Sequence, residues 1–200
     1  MIKKIVITGG LGYIGTELCK IYSGVSWHHK IIVIDNRFIS ERVNQIQNWN
    51  MEFVHGDILD KDLVKKYFKN ADIVHHLAGI TDVPRTKSES SNDKDEKINL
   101  VGETGTQNIL DAIDDRCKII FPSTHVVYEG IEKVKNDIKE DEETKPVLSY
   151  SSSKAINEKQ LKDSGKNYVI LRLGSVYGYS TDTARIDIMP NLFSKIASQN

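Results

Sequence analysis

Two side chains that could exchange a proton with a substrate lie four residues apart in the second half of the sequence. Tyr150 and Lys154 bracket three serines, and on a helix this spacing places both side chains on one face. A free tyrosine has a pKa of about 10, and lowering this pKa to near neutrality takes roughly 4 kcal/mol of extra stabilisation of the phenolate. An adjacent ammonium group in a partly dry cleft supplies that order of energy. The pair therefore predicts a general acid/base, although a lone Tyr-x-x-x-Lys also arises by chance.

Hydroxyl groups end the fifth predicted strand. Ser123 and Thr124 stand at this strand end, where a hydroxyl can hydrogen-bond a substrate oxygen whose charge changes during hydride transfer. The alternative is a cap for the strand end. His125 follows and is a candidate substrate contact, with a packed histidine as the alternative. His75 and His76 are adjacent on a predicted strand and so point to opposite faces. No metal site is predicted.

A glycine-rich turn follows the first predicted strand. Gly9, Gly12 and Gly15 allow a tight turn and a close approach of the backbone to a pyrophosphate. Asp35 ends the second predicted strand about 20 residues further on, where a carboxylate accepts both ribose hydroxyls of NAD and repels the extra phosphate of NADP. Together these residues predict dinucleotide binding, and Arg37 leaves tolerance of NADP open.

Later strand ends complete the predicted cofactor site. Asp57 either lies near the adenine amino group or caps the next helix. The small residues after the fourth strand either leave room for a cofactor or pack tightly. The predicted cofactor-binding residues are Gly9, Gly12, Tyr13, Ile14, Gly15, Asp35, Asn36, Asp57, Ile58, Leu77, Ala78, Gly79, Tyr150 and Lys154.

The elements that must position these residues alternate along the chain. Short β-branched runs predict six buried strands, at 4–8, 31–35, 51–55, 73–77, 118–122 and 169–173. Helical patterns occur at 14–22, 60–68, 98–113, 150–161 and 190–198. This alternation predicts an α/β fold with a doubly wound parallel sheet. The polar segments 81–97 and 129–146 are predicted to be loops at the end of the sheet where ligands bind.

The composition excludes several classes of protein. The 200 residues carry 27 Lys plus Arg and 28 Asp plus Glu, so no basic surface is available for nucleic acid or a membrane. No apolar run approaches the roughly 20 residues of a membrane span, and residues 1–8 make a poor signal peptide. Cys19 and Cys117 are far apart in the sequence, which favours a reducing, cytoplasmic location.

Eight motifs occur in a fixed order over nearly the whole chain. They are Thr8-Gly9-Gly10-x-Gly12-x-x-Gly15, Val33-Ile34-Asp35-Asn36, Gly56-Asp57-Ile58, His76-Leu77-Ala78, Gly105-Thr106-x-Asn108-Ile109-Leu110, Ser123-Thr124-x-x-Val127-Tyr128, Tyr150-x-x-Ser153-Lys154-x-x-x-Glu158 and Leu171-Arg172-Leu173-x-x-Val176-Tyr177-Gly178. With these motifs the sequence resembles the extended short-chain dehydrogenase/reductase family, in its NAD-dependent epimerase/dehydratase group.

The resemblance implies a role for each matching residue. Tyr150 would be the general acid/base, Lys154 would lower its pKa and hold the nicotinamide ribose, and Thr124 would be the third catalytic residue. The family's usual chemistry transfers a hydride from a sugar carbon to NAD, and an epimerase returns it to the opposite face of the 4-keto sugar. A nucleotide sugar is the implied substrate. Members commonly dimerise through the helices predicted here at 98–113 and 150–161, so a homodimer is a candidate assembly.

Departures from the family pattern limit which residue roles the resemblance implies for this sequence. The family's asparagine before Gly-Thr falls at Gly102, and Ser175 replaces a common asparagine at a predicted substrate contact. His125 and Val126 follow Thr124 where dehydratases carry Asp-Glu, which argues against dehydration. The same stretch is similar to that of sugar-nucleotide 4-keto reductases.

Three functions follow from these observations. The preferred one is an NAD-dependent nucleotide-sugar 4-epimerase. The alternatives are an NAD(P)-dependent sugar-nucleotide reductase or dehydrogenase and a non-catalytic NAD-binding module. Residues 1–178 are predicted to form an NAD-binding Rossmann domain, and 179–200 to begin a substrate-binding region. Because members usually extend this region, the chain is expected to be a truncated form or a fragment.

Overall fold

A six-stranded parallel sheet forms the centre of the protein. The computed structural model describes residues 1–81, 89, 91–180 and 188–199. The strand order is β3-β2-β1-β4-β5-β6, and every pairing is parallel. The strands are β1 (Lys4–Thr8), β2 (Lys30–Asp35), β3 (Glu52–His55), β4 (Ile73–His76), β5 (Lys118–Thr124) and β6 (Asn167–Leu173). The predicted doubly wound sheet is confirmed, and its order reverses between β1 and β4.

Helices connect the strands on both faces of the sheet. They are α1 (Tyr13–Ser23), α2 (Ser40–Asn48), α3 (Lys61–Phe68), α4 (Asn92–Asn99), α5 (Gly105–Ala112), α6 (Ser149–Asp163) and α7 (Met189–Ala197). Helix α2 was not predicted from the sequence, and the loop predicted at 81–97 is wrong for 92–97, which are helical. Residues 82–88 and 90 of that loop lie outside the described residues. No helix in the described ranges has the length and apolarity needed to cross a membrane.

Alternating strand residues belong to two apolar clusters, one on each face of the sheet. Val6, Ile32 and Val74 point to the face that α3, α5 and α6 cover. Ile5 and Ile31, one position away, point to the face that α1 and α2 cover. Because side chains alternate along a strand, a run of apolar residues fills both clusters at once.

A π-helical turn (Leu100–Thr104) interrupts the helix predicted at 98–113 and joins α4 to α5. A π turn leaves backbone carbonyls without their usual partners, and side chains of α6 bond two of them. Asn157 donates to the Gly102 carbonyl at 3.0 Å, and Gln160 donates to the Glu103 carbonyl at 3.0 Å. A Cβ atom at Gly102 would lie 2.1 Å from the Ser153 hydroxyl oxygen. Glycine at 102 therefore lets α6 approach the turn closely.

Candidate functional site

The glycine-rich turn that follows β1 packs closely against the residues that follow β4. Gly9 has a φ of +67°, and a Cβ there would lie 2.7 Å from the Ala78 nitrogen. A Cβ at Gly15 would lie 2.3 Å from the Gly9 carbonyl oxygen. Helix α1 begins directly after Gly12, which offers no side-chain cap, and its first turn has no acidic residue. The first N–H groups of α1 therefore face the turn without a side-chain acceptor, as a phosphate site requires.

The carboxylate of Asp35 is fixed beside this turn. It is only 5% exposed, and one oxygen accepts the N–H of Leu11 at 2.9 Å. The other oxygen accepts the backbone N–H of Arg37 at 3.0 Å and its Nε at 3.2 Å. The predicted neighbours, Asp35 and the glycine turn, thus lie together, and Arg37 partly neutralises the carboxylate.

Asp57 forms a polar pair with Asn36 at the end of β3. The Asn36 amide donates to one carboxylate oxygen at 3.0 Å, and the other accepts the N–H of Leu59 at 2.9 Å. Asp60, not Asp57, caps α3 by accepting two backbone N–H groups, so the capping interpretation of Asp57 is wrong. Ile58 is buried, and its side chain packs against Gly105.

Tyr150 and Lys154 lie on α6 and border a small cleft. The Lys154 Nζ donates to the Pro122 carbonyl at 2.8 Å. It lies 4.3 Å from the ring centroid of Phe121 and 5.9 Å from that of Tyr150. Burial lowers the pKa of Lys154 to about 8, while the nearby carboxylate of Glu158 acts to raise it. The cation is therefore held between the sheet and the phenol ring.

The cleft beside this pair also includes predicted cofactor residues. Its lining includes Leu77, Ala78, Gly79, Tyr150, Lys154, Thr106 and Ser153. Ala78 is also the residue that Gly9 approaches, so the glycine turn adjoins the cleft at Ala78. The Tyr13 hydroxyl donates its proton to the Gly178 carbonyl, and Ile14 is exposed at the start of α1.

The two hydroxyl groups at the end of β5 have different hydrogen-bond partners. Thr124 accepts the N–H of Val126 at 3.3 Å and so caps a 3-10 turn, His125–Tyr128. Because this bond uses an oxygen lone pair, the hydroxyl keeps its proton for donation. Ser123 points into the protein and donates to Glu158 at 2.6 Å. His125 is exposed, with Nδ1 at 3.2 Å from the Leu173 carbonyl.

Ser175, the other predicted substrate contact, follows β6 and is exposed. It lies beyond the same end of the sheet as Thr124, since β5 and β6 are paired in parallel and Thr124 is in register with Leu173. The structure therefore brings the candidate catalytic and substrate residues to one end of the sheet.

A buried ion pair near Lys154 adds two residues to the site that were not predicted from the sequence. Glu158 is 2% exposed and accepts Arg172 Nε at 2.9 Å and Nη2 at 2.6 Å. Arg172 also stacks on the ring of Tyr128, 5.0 Å from its centroid. Burial raises the pKa of Glu158, but the hydrogen bonds from Arg172 and Ser123 outweigh it and hold the pKa below its usual range. The spacing of Tyr150, Lys154 and Glu158 at successive helical turns could have revealed this shared face.

His76 links β1, β4 and α5 below the cleft. Its ring nitrogens lie 3.0 Å from the hydroxyls of Thr8 and Thr106, and Thr8 accepts the N–H of Ala78 at 3.0 Å. Burial lowers the pKa of His76 to about 3, and the Lys154 cation acts in the same direction. His75 is bonded to Tyr22 on the opposite face, as predicted. Among the described residues, no three His, Cys, Asp or Glu side chains are grouped as a metal site requires.

Comparison with known proteins gives a consistent result. The model of the NAD dependent epimerase/dehydratase family matches residues 5–200. A CDP-paratose 2-epimerase from Salmonella typhi is 33% identical over 88% of this chain and 58% of its own length. A dTDP-D-glucose 4,6-dehydratase from Dictyostelium discoideum is 30% identical over 88% of this chain and 44% of its own length. The chain thus spans about half the length of these relatives.

Among solved structures, a UDP-glucuronic acid 4-epimerase from Bacillus cereus, in complex with UDP-glucuronic acid and NAD, is similar with a TM-score of 0.76. It is 28% identical, and the match covers 98% of this chain and 63% of that chain.

Proposed function

The chain belongs to the NAD dependent epimerase/dehydratase family, and on that premise we propose that it is part of a nucleotide-sugar 4-epimerase. The observation that supports this most directly is the position of Tyr150 and Lys154 on one cleft with Leu77, Ala78 and Gly79. The glycine turn adjoins the same cleft through Ala78. A general acid/base pair therefore faces the place where a dinucleotide would lie.

The described residues fit a dinucleotide well. A Cβ at Gly9 or Gly15 would collide with neighbouring backbone atoms, so these glycines allow the tight turn, and the start of α1 would hold the pyrophosphate. Asp35 would accept the adenosine ribose hydroxyls, and Asn36 with Asp57 would flank the adenine. When bound, NAD supplies a hydride acceptor that later returns the hydride to the sugar.

Three side chains would carry the proton chemistry. Tyr150, as the phenolate, would take the proton of the sugar hydroxyl while the hydride leaves the same carbon, and would return the proton afterwards. Lys154 would stabilise the phenolate, because its ammonium group lies on the same side of α6. Thr124 would donate a hydrogen bond to the sugar oxygen on which charge changes. Return of the hydride to the opposite face of the sugar would then give the 4-epimer.

Two features bear on the alternative reactions. His125 and Val126 follow Thr124 where an acid would be needed to expel water, so dehydration is disfavoured. The Arg37 guanidinium, 3.2 Å from the Asp35 carboxylate, reduces the repulsion that a 2′-phosphate would meet, and this favours the reductase or dehydrogenase as the second candidate. A non-catalytic NAD-binding module is the third.

One purification distinguishes the three candidates. We expect the protein to retain NAD, measured after denaturation, and to convert UDP-glucose, UDP-N-acetylglucosamine or UDP-glucuronic acid to its 4-epimer by NMR. We expect Tyr150→Phe to lower turnover by about a hundredfold or more with NAD affinity nearly unchanged. Turnover that depends on added NADH or NADPH would indicate the reductase. Binding of NAD, with no conversion of any nucleotide sugar by a full-length version, would indicate the module.

The remaining expectations stay predictions. Cys19 and Cys117 are buried free thiols, which supports the predicted cytoplasmic location. The homodimer and the substrate-binding region beginning at residue 179 are further predictions of the same proposal.

A further inference from the structure

The segment between Thr124 and Tyr150 is closed at its base by backbone hydrogen bonds. The N–H of Lys145 donates to the Val127 carbonyl at 2.8 Å, and the N–H of Gly130 donates to the Lys145 carbonyl at 2.8 Å. The chain that leaves β5 therefore lies beside the chain that enters α6.

Glu129 connects these two stretches through its side chain. One carboxylate oxygen accepts the N–H of Val147 at 2.8 Å and that of Leu148 at 2.7 Å. The same oxygen accepts the hydroxyl of Ser151, and Ser151 is only 1% exposed. We call this set of three hydrogen bonds the Glu129 clamp.

The clamp supplies a negative charge that α6 lacks at its start. The residue before the helix, Leu148, has no side-chain oxygen, and the first turn of α6 has no acidic residue. A carboxylate at this end complements the helix dipole. Burial raises the pKa of Glu129, but the bonds from Ser151, Leu148 and Val147 outweigh it and hold the pKa below its usual range. The carboxylate is therefore ionised near neutral pH.

The clamp joins the two parts of the proposed catalytic site by a short path. Thr124 caps the 3-10 turn that ends just before Glu129, and Ser151 directly follows Tyr150. We propose that Glu129 is a positioning residue, which fixes the Tyr150 phenol relative to the Thr124 hydroxyl. This inference rests on the proposed function, because it assigns Glu129 to the geometry of that reaction. Reacting groups that are misplaced by about 1 Å lose on the order of a hundredfold in rate.

Four variants test the clamp. Glu129→Ala removes all three bonds. Ser151→Ala removes one of them, together with the Ser151 oxygen that lies 3.3 Å from the Val147 nitrogen and 3.2 Å from the Leu148 nitrogen. Glu129→Gln keeps an oxygen that accepts them. Glu132→Ala is the matched control, since Glu132 is an exposed glutamate of the same loop.

Hydrogen exchange tests the clamp without any turnover. In Glu129→Ala we expect the amides of Val147 and Leu148 to exchange about tenfold to a hundredfold faster, while core amides such as those of Val74 and Ile119 keep their rates. Glu129→Gln should change exchange less, and Glu132→Ala should not change it. Ring NMR signals of Tyr150, assigned from their loss in Tyr150→Phe, should shift in Glu129→Ala and stay in Glu132→Ala.

Kinetics then test the positioning role. We expect Glu129→Ala to lower kcat about tenfold to a hundredfold, with KM and NAD affinity within about threefold of the wild type. Glu129→Gln should restore most of the rate, and Ser151→Ala should be intermediate. Unchanged exchange at Val147 and Leu148, or an unshifted Tyr150 ring, would overturn the proposal. So would equal losses of kcat and NAD affinity.

The two proposals fail in different ways. If a version that includes the full substrate-binding region converts no nucleotide sugar, the proposed function is wrong, and the exchange and ring signals still decide whether Glu129 positions Tyr150. If Glu129→Ala does not fold, Ser151→Ala carries the comparison, with Glu129→Gln as the variant that keeps an accepting oxygen. Wild-type exchange and ring signals in Ser151→Ala would then count against the clamp.

Discussion

The buried ion pair between α6 and β6 leads to a quantitative prediction. The side chains of Glu158 and Arg172 are 2% and 13% exposed, with Nη2 and Oε2 2.6 Å apart. Glu158→Gln keeps the shape and the bond from Ser123 but leaves the Arg172 cation without its counter-charge. The other groups bonded to Arg172, the Tyr128 hydroxyl and the Glu140 carbonyl, are not carboxylates. Removing one member of a buried pair costs about 3–5 kcal/mol, so we expect a loss near the lower value.

Urea unfolding at pH 7, followed by circular dichroism, measures this loss. Asp163→Asn is the control in the same helix, because its partner Lys159 is 78% exposed and Asp163 is 62% exposed. Pairs of this kind contribute less than about 1 kcal/mol. A Glu158→Leu/Arg172→Met double variant should be more stable than Glu158→Gln, since no buried charge remains unpaired. If Glu158→Gln lies within about 1 kcal/mol of the wild type, the reasoning about this pair is refuted.

The same pair predicts how stability depends on pH. The native pKa of Glu158 lies below its ordinary value of 4.5, so the unfolded chain binds a proton first as the pH falls. The stabilisation is therefore complete above pH 4.5 and is lost as the pH falls through the native pKa. We expect the stability difference between wild type and Glu158→Gln to shrink over that range. A constant difference down to acid unfolding would contradict the assignment.

Three further predictions concern the cleft and the turn. Burial lowers the pKa of Lys154 from 10.5 to about 8. The contribution of Lys154 to stability should therefore increase as the pH rises from 8 to 10.5. Lys154→Met should raise the urea midpoint at pH 7 and abolish turnover. Asp35→Ala should weaken NAD binding about tenfold or more and NADP binding less, by calorimetry; equal losses would contradict this. Gly15→Ala should abolish NAD binding in the same assay, since its Cβ would lie 2.3 Å from the Gly9 oxygen.

The sheet could be predicted because its signals are local. Each strand is a short apolar run that fills both clusters, and the observed strands begin and end within about two residues of the expected ones. Helix α2 was missed because only Val43 and Ile46 of its nine residues are buried, too few to mark a helical face. The π turn was missed because it depends on Asn157 and Gln160, about 55 residues further along the chain.

The candidate site could be predicted only for the residues that belong to short sequence motifs. Gly9, Asp35, Tyr150 and Lys154 lie in short patterns with a direct chemical meaning, and the structure brings them to one end of the sheet. Nothing near Glu129 in the sequence indicates that its carboxylate meets the start of α6. Glu158 and Arg172 belong to two different motifs, and only the packing of β6 beside β5 joins them.

Helix α6 is held by directional polar contacts more than by an apolar face. Four of its five buried residues are polar, namely Ser151, Ser153, Asn157 and Glu158, and Leu161 is the fifth. Apolar contacts tolerate sliding, because their energy depends on buried area rather than on direction. Hydrogen bonds weaken steeply when their angles change. The clamp at Ser151 fixes the first turn of the helix, and the π-turn contact at Asn157 and the ion pair at Glu158 fix a turn further along it. A helix that carries both Tyr150 and Lys154 is thereby fixed in height and rotation, which the proposed proton transfer requires.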